Sequence, residues 1–338
     1  MQMAKIQVQT FVLVLFVAYL SALSLRGLHD YRLLGRTILL AACIKAMIAL
    51  WVVKTVAPPF ETTTDGSLAV ATSHGDSLLF ACATVMLIVR FAEQPIRRHA
   101  LFCVGLLPLL VAGMVANHRR LVWVQFAAAL LTYSLVSRRS RVKRFAVHAA
   151  LAAMPLIAAY VAIGWNSHSA LFAPVRIFRS VGDGKVDPST LYRDLENYNL
   201  LATMKVNPIV GTGFGHPFAE PVKLPDISFF KEYRYMPHNS VLGLWAFCGA
   251  LGFTALSVAI VVAIFLAARS YQHAALADER VAACMTLAAI VIFLVHCWGD
   301  IGFSERRSMF LVGPALAIAG QLALSTGAWP SHPRRRSA

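Results

Sequence analysis

Residues 239–268 read NSVLGLWAFCGALGFTALSVAIVVAIFLAA, thirty positions without one Asp, Glu, Lys or Arg. A helix needs about 20 apolar residues to cross the hydrocarbon of a bilayer. This run exceeds that, so it either tilts or begins outside the lipid. Working outward, eight further apolar segments stand at about 10–25, 37–56, 77–92, 100–116, 121–137, 145–165, 281–298 and 308–327. The composition agrees, with 58% apolar and 14% charged residues in 338 and a mean hydropathy of +0.64. Soluble domains run near about 45–50% apolar and about 25% charged. The expected class is therefore all-α, a polytopic integral membrane protein with about nine transmembrane helices and one large external loop. A soluble globular enzyme, a disordered chain and a secreted disulfide scaffold are excluded. The six cysteines all fall in apolar runs with no CxxC, which reads as small packing residues in helices.

Charge between the segments alternates. Arg26, Arg32, Arg36, Arg90, Arg97, Arg98, the run 138–144, Arg269, Arg280 and Arg334 to Arg336 hold 16 of the 31 basic residues, in one set of short connections. The intervening set, 57–76, 117–120, 166–238 and 299–307, is poorer, and 57–76 has no Lys or Arg. Positive loops stay in the cytoplasm. The first set is thus expected inside and the second outside, with the N-terminus outside. The net charge of +15 is then mostly topological. Loop 166–238 carries eight basic and seven acidic residues, so it is no basic patch, and no nucleic-acid partner is expected. Two intramembrane cations need accounting for. Arg90 ends the weakest span and is expected to snorkel. Lys45 lies within a span and should face the bundle interior.

The external loop, about 73 residues, is long enough to be functional. Asp187-Pro188-Ser189-Thr190, followed by Leu191, Leu195, Tyr198 and Ala202, predicts a capped helix that stops before Asn207-Pro208. Arg193, Asn197 and Leu200 share one stripe of it. Next comes Asn207-Pro208-Ile209-Val210-Gly211-Thr212-Gly213-Phe214-Gly215-His216. Gly211, Gly213 and Gly215 make either a turn returning to the membrane or a backbone nest for a phosphate or sugar. It is neither a Walker A motif nor a dinucleotide fingerprint. The loop closes with Tyr233-Arg234-Tyr235-Met236-Pro237-His238-Asn239-Ser240. His238, at the membrane boundary, has a side chain suited to general-base work, or it is a structural interfacial residue. Arg119 and Arg120 stand on the outer side, against the positive-inside bias; two guanidinium forks can hold a pyrophosphate, and interface anchoring is the alternative.

This arrangement resembles the O-antigen ligase and O-antigen polymerase family. The resemblance rests on the outward pair Arg119-Arg120, on Tyr192-Arg193 and the Asn207 to Gly215 segment in a large external loop, and on His238-Asn239 leading into a span with Gly249 and Gly252. It covers about residues 115–260. It implies a metal-independent membrane glycosyltransferase, without cofactor, at the periplasmic face of the bacterial inner membrane. Such a protein moves a glycan from an undecaprenyl-pyrophosphate carrier to lipid A core or a growing polysaccharide. Carried over, catalysis falls to His238 and Arg193, and substrate binding to Arg119 and Arg120. Arg234, Gly211, Gly213 and Gly215 join the binding set by position. Three regions follow: membrane helices in 1–114, a ligase-like core in 115–270 that includes loop 166–238, and C-terminal helices with a basic tail in 271–338. Family members usually have about a dozen spans, so nine suggests a reduced member or a missing N-terminal portion. A transporter or flippase of polysaccharide precursors, and a non-catalytic scaffold, are the competing classes. The polar groups cluster at one face rather than at the midplane, and no two related halves are evident, which favours chemistry at the surface.

Overall fold

The computed structural model describes residues 2–55, 72–117, 119–138, 141–167, 172, 175, 179, 188–225, 232–303 and 305–329. Among these, every regular element is helical. The order is α1 (Gln2–Ser24), α2 (Leu28–Thr55), α3 (His74–Glu93), α4 (Arg97–Ala116), α5 (Arg120–Val136), α6 (Arg141–Gly164), α7 (Pro188–Val206), α8 (Ser240–His273), α9 (Ala277–Gly299), a 3-10 turn (Arg306–Ser308) and α10 (Met309–Ser325). Among the described residues, seven helices are long and apolar enough to cross a membrane: α1, α2, α3, α4, α8, α9 and the stretch Arg306–Ser325. Two of the nine expected spans, α5 and the apolar part of α6 (Leu151–Gly164), are shorter apolar helices. The helix expected in the long loop appears as α7 and ends at Val206, before Asn207-Pro208 as the proline requires. Its expected cap Asp187, most of 168–187 and the stretch 57–71 lie outside the described residues.

The core is built around α3 and α9, whose small and aliphatic residues such as Ala81, Ala83, Ala288 and Ile292 are fully enclosed. With no apolar driving force against lipid, close packing of small residues and buried polar pairs hold such a bundle. At one end of it the helix termini carry arginines tied to acids. Asp278 bonds both Arg32 and Arg90. Glu93 accepts from Arg280 Nε at 2.8 Å and from the hydroxyls of Tyr133 at 3.1 Å and Tyr271 at 2.8 Å. Arg90, partly exposed in the last turn of α3, is met there by an acid that α9 supplies. Lys45 does face the interior, where its Nζ lies 3.2 Å from the buried Asp76 carboxylate of α3.

Glu93 is nearly enclosed, so its charge and three partners depend on one another. Glu93→Gln should cost about 1.5–3 kcal/mol, because Arg280 loses its counter-charge. Thermal unfolding in detergent would read this as a lowered midpoint; an unchanged midpoint would make the cluster ornamental.

The opposite end of the bundle carries the long connection 165–239. Gln7 of α1 donates to the Tyr235 carbonyl at 2.6 Å and accepts from the Gly215 amide at 2.5 Å. The N-terminal end of α1 thus sits on the loop face, in keeping with the parity of the charge pattern. Its Phe11 stacks with Phe303 at 5.0 Å between ring centroids. Further along, α1 lies against α10, and Gly313 admits Val17 where a Cβ would collide with it.

One long helix is broken. Residue Gly249 in α8 has φ 62° and ψ −173°, far from helical values. The broken ends are sealed by the glycine-rich segment. Thr212 N–H donates to the Ala246 carbonyl at 3.0 Å and Gly213 N–H to Phe247 at 2.9 Å. In return Ala250 and Leu251 donate to Pro208 at 2.9 Å and Ile209 at 3.1 Å. Irregular backbone at such a depth is tolerated only where protein satisfies it. The remainder, 250–273, is about 36 Å long at 1.5 Å per residue, enough to span alone.

Candidate functional site

Helix α7 places the site. Its buried stripe is Tyr192, Glu196, Asn199, Leu200 and Thr203, spaced at helical intervals. Asn199 and Thr203 fasten the following segment: Asn199 exchanges two bonds with Val222, at 2.7 and 3.1 Å, and the Thr203 hydroxyl accepts from Ala219 N–H at 2.9 Å. Leu200, Phe218, Leu224 and Phe247 make a small apolar core between α7 and the first turns of α8. The described part of the loop, 188–225 and 232–239, thus packs against the start of α8.

Sequence reasoning missed Glu196. Both of its oxygens serve His238: Oε2 accepts the His238 backbone N–H at 2.9 Å, and Oε1 lies 3.3 Å from ring Nδ1. The carboxylate side chain is 1% exposed and the imidazole 25%. A carboxylate at Nδ1 selects the tautomer protonated there, which directs the Nε2 lone pair outward. Tyr192 meets the ring edge-on at 5.5 Å. Burial and the neighbouring Glu196 charge push the Tyr192 phenol well above its ordinary range, so it stays neutral. No local signal marks Glu196 in the sequence; only its place on the buried stripe, three residues after Arg193, could have raised it.

Arg193 and Glu196 share a side of α7. Arg193 and Asp300 both lie within electrostatic reach of Arg119, which precedes the first turn of α5. Burial pulls Arg119 below the ordinary arginine range; Asp300 opposes this and Arg193 adds to it. Its Nε is buried with no hydrogen-bond partner among the described residues. Two guanidinium groups of like charge, one with an orphaned donor, make a site that favours an anion. Asp300 belongs to the scaffold beneath. Burial would raise its carboxyl, but the bond and charge of His74 outweigh this and hold it well below 3.8. Its carbonyl accepts from the Ser240 hydroxyl at 3.1 Å, linking the start of α8 to the end of α9.

The other sequence candidates fall differently. Arg120 opens α5 beside Arg119. Arg234 is engaged, its Nε 3.5 Å from the Glu220 carboxylate and its terminal nitrogen 3.4 Å from the Phe218 carbonyl. The amides of Gly211, Gly213 and Gly215 donate to Asn207, Phe247 and Gln7 respectively, at 2.9, 2.9 and 2.5 Å. Of the two readings left open for this segment, the geometry fits the turn returning to the membrane.

A polytopic helical membrane protein emerges, with a histidine–carboxylate pair and converging arginines at one face. Residues 105–257 match the family model described as O-Antigen ligase. That match supports the O-antigen ligase family for this chain and, at the coarse level, glycan transfer in lipopolysaccharide biosynthesis by a glycosyltransferase-like membrane enzyme with lipid-linked glycan and acceptor substrates. No curated protein matches the chain.

Proposed function

We propose that this protein transfers an undecaprenyl-pyrophosphate-linked glycan to an acceptor hydroxyl, on lipid A core or a growing polysaccharide, at the periplasmic face of the inner membrane. The observation that carries the reading is the Glu196–His238 pair on the same loop as Arg193, with Arg193 in electrostatic reach of Arg119, whose buried Nε has no partner among the described residues. The orientation follows from the arginines gathered at the other end of the bundle. Crossing by α5 and α6 completes nine spans, and the three-region division 1–114, 115–270 and 271–338 follows from them.

In this mechanism the acceptor O–H gives its proton to His238 Nε2 as its oxygen bonds to the anomeric carbon. The bond from that carbon to the pyrophosphate oxygen breaks, and the lipid pyrophosphate leaves with the electron pair. Arg119 and Arg193 hold the developing charge, with Arg120 nearby. Glu196 keeps the imidazole in register and stabilises it when protonated. No metal or cofactor takes part. Arg234 and the three glycines shape the site rather than touch the substrate.

Arg119→Ala and Arg193→Ala should each lower turnover by about 10²-fold, the scale of one lost transition-state donor. The assay is transfer from a synthetic undecaprenyl-pyrophosphate glycan by purified protein, together with complementation of a deletion strain read on a surface-polysaccharide gel. A bare core in the deletion marks a ligase, and a single-repeat core a polymerase. Unchanged polysaccharide in the deletion, with no transfer in vitro, would overturn the proposal.

A further inference from the structure

At the arginine-rich end of the bundle, far from the loop, a pocket of about 300 Å³ opens between α2, α3, α4 and α9. Arg32, Arg36, Arg90 and Arg98 line it, against one acid, Asp278. Asp278 is already shared by Arg32 and Arg90, which leaves the pocket with a surplus of positive charge. Arg36 and Arg98 have no acidic partner among the described residues; Arg98 lies over the Phe102 ring at 5.8 Å. The walls behind the arginines are apolar: Leu39, Met86 and Phe102. On the same helices, α2 and α4, Leu40 and Leu101 are 62% and 65% exposed, as residues facing acyl chains are.

We infer that this pocket holds the phosphate headgroup of an anionic lipid from the leaflet opposite the transfer site. Charge and shape point the same way. Arg90 and Arg98 stand at the end of α3 and the start of α4, and Arg32 and Arg36 lie in the first three turns of α2, while the walls behind them are apolar. A basic pocket between membrane helices is suited to such a headgroup. A free phosphate would satisfy Arg36 and Arg98 equally well but would leave the apolar walls without a partner. The occupant would bridge α2 and α4, so it would also brace the bundle. The inference is independent of the transfer reaction.

The test uses the full chain, delipidated in detergent and mixed with phosphatidylglycerol, phosphatidylcholine or inorganic phosphate. Retained lipid is read by native mass spectrometry and stability by thermal unfolding. Phosphatidylglycerol should be retained and should raise the midpoint; phosphatidylcholine should do neither. The double variant Arg36→Gln/Arg98→Gln removes two exposed charges and should weaken retention about 30-fold, at about 1 kcal/mol per cation near the surface. Gly35→Leu keeps every arginine but places a side chain against Met86, whose sulfur a Cβ would already approach to 3.1 Å. It should weaken retention too, which a diffuse surface charge would not. Equal retention of phosphatidylcholine, full retention in both variants, or equal protection by inorganic phosphate alone would each overturn the lipid site.

Discussion

His238→Ala lowers glycan transfer by about 10²–10⁴-fold, the usual contribution of a positioned general base. The protein should still fold, since the ring is a quarter exposed and the backbone bond to Glu196 survives the substitution. Donor binding should change little, because the arginines that would grip the pyrophosphate are untouched. Glu196 is a positioning residue, so its variants separate orientation from chemistry. Glu196→Ala should lower kcat with KM for the donor nearly constant. Glu196→Asp, which keeps a carboxylate, should recover part of the loss. If His238→Ala transfers at the wild-type rate, base catalysis by this residue is wrong. If Glu196→Ala raises KM alone, its role lies in shaping the loop.

The second large effect is on folding. Gly211→Val should destabilise the protein by about 2–5 kcal/mol, combining the left-handed backbone penalty with overpacking. Gly211 has φ +81°, and a Cβ there would stand under 3.0 Å from the Phe247 carbonyl and the Gly249 nitrogen. Neither can retreat, because both belong to the sealed break in α8. Gly213→Ala is the control. Its φ is +89°, but the nearest atom to a new Cβ is His216 Cδ2 at 3.5 Å. Only the backbone penalty applies, about 1–2 kcal/mol. Thermal unfolding in detergent distinguishes the two. Equal midpoints for both variants would mean that the seal is not tight.

What could be read from sequence was whatever depends on local pattern. The apolar segments reappear as helices, because length and hydropathy are properties of contiguous residues, although α1 and α2 begin eight and nine residues before the expected starts. The external helix α7 and its stop before Pro208 were legible for the same reason. The partners were not. Asp76 for Lys45, Asp278 for Arg90, His74 for Asp300 and Glu196 for His238 all come from elsewhere in the chain, and no spacing announces them. Gly211 and Gly249 illustrate the limit from another side. Each is visible as a glycine, yet the reason for each is the other's backbone, 38 residues away. The arginines at 119 and 193 were suggested by resemblance; their electrostatic coupling needed α5 and α7 in place.

The pairing of α1 with α10 has a consequence for biosynthesis. The ribosome makes α1 long before α10, and α1 has little else to lean on. Its hydrophobic window is 6% buried in the finished bundle, with Leu15, Phe16 and Tyr19 more than half exposed. Until α10 is inserted, α1 must wait in the lipid as a solitary helix, and its Gln7 cannot clasp the Gly215 and Tyr235 backbone from a settled position. A nascent chain halted before Gly313 would therefore have its external unit folded onto α8 but not yet tethered through α1. The tether of α1 to the loop is completed only once α10 is in place.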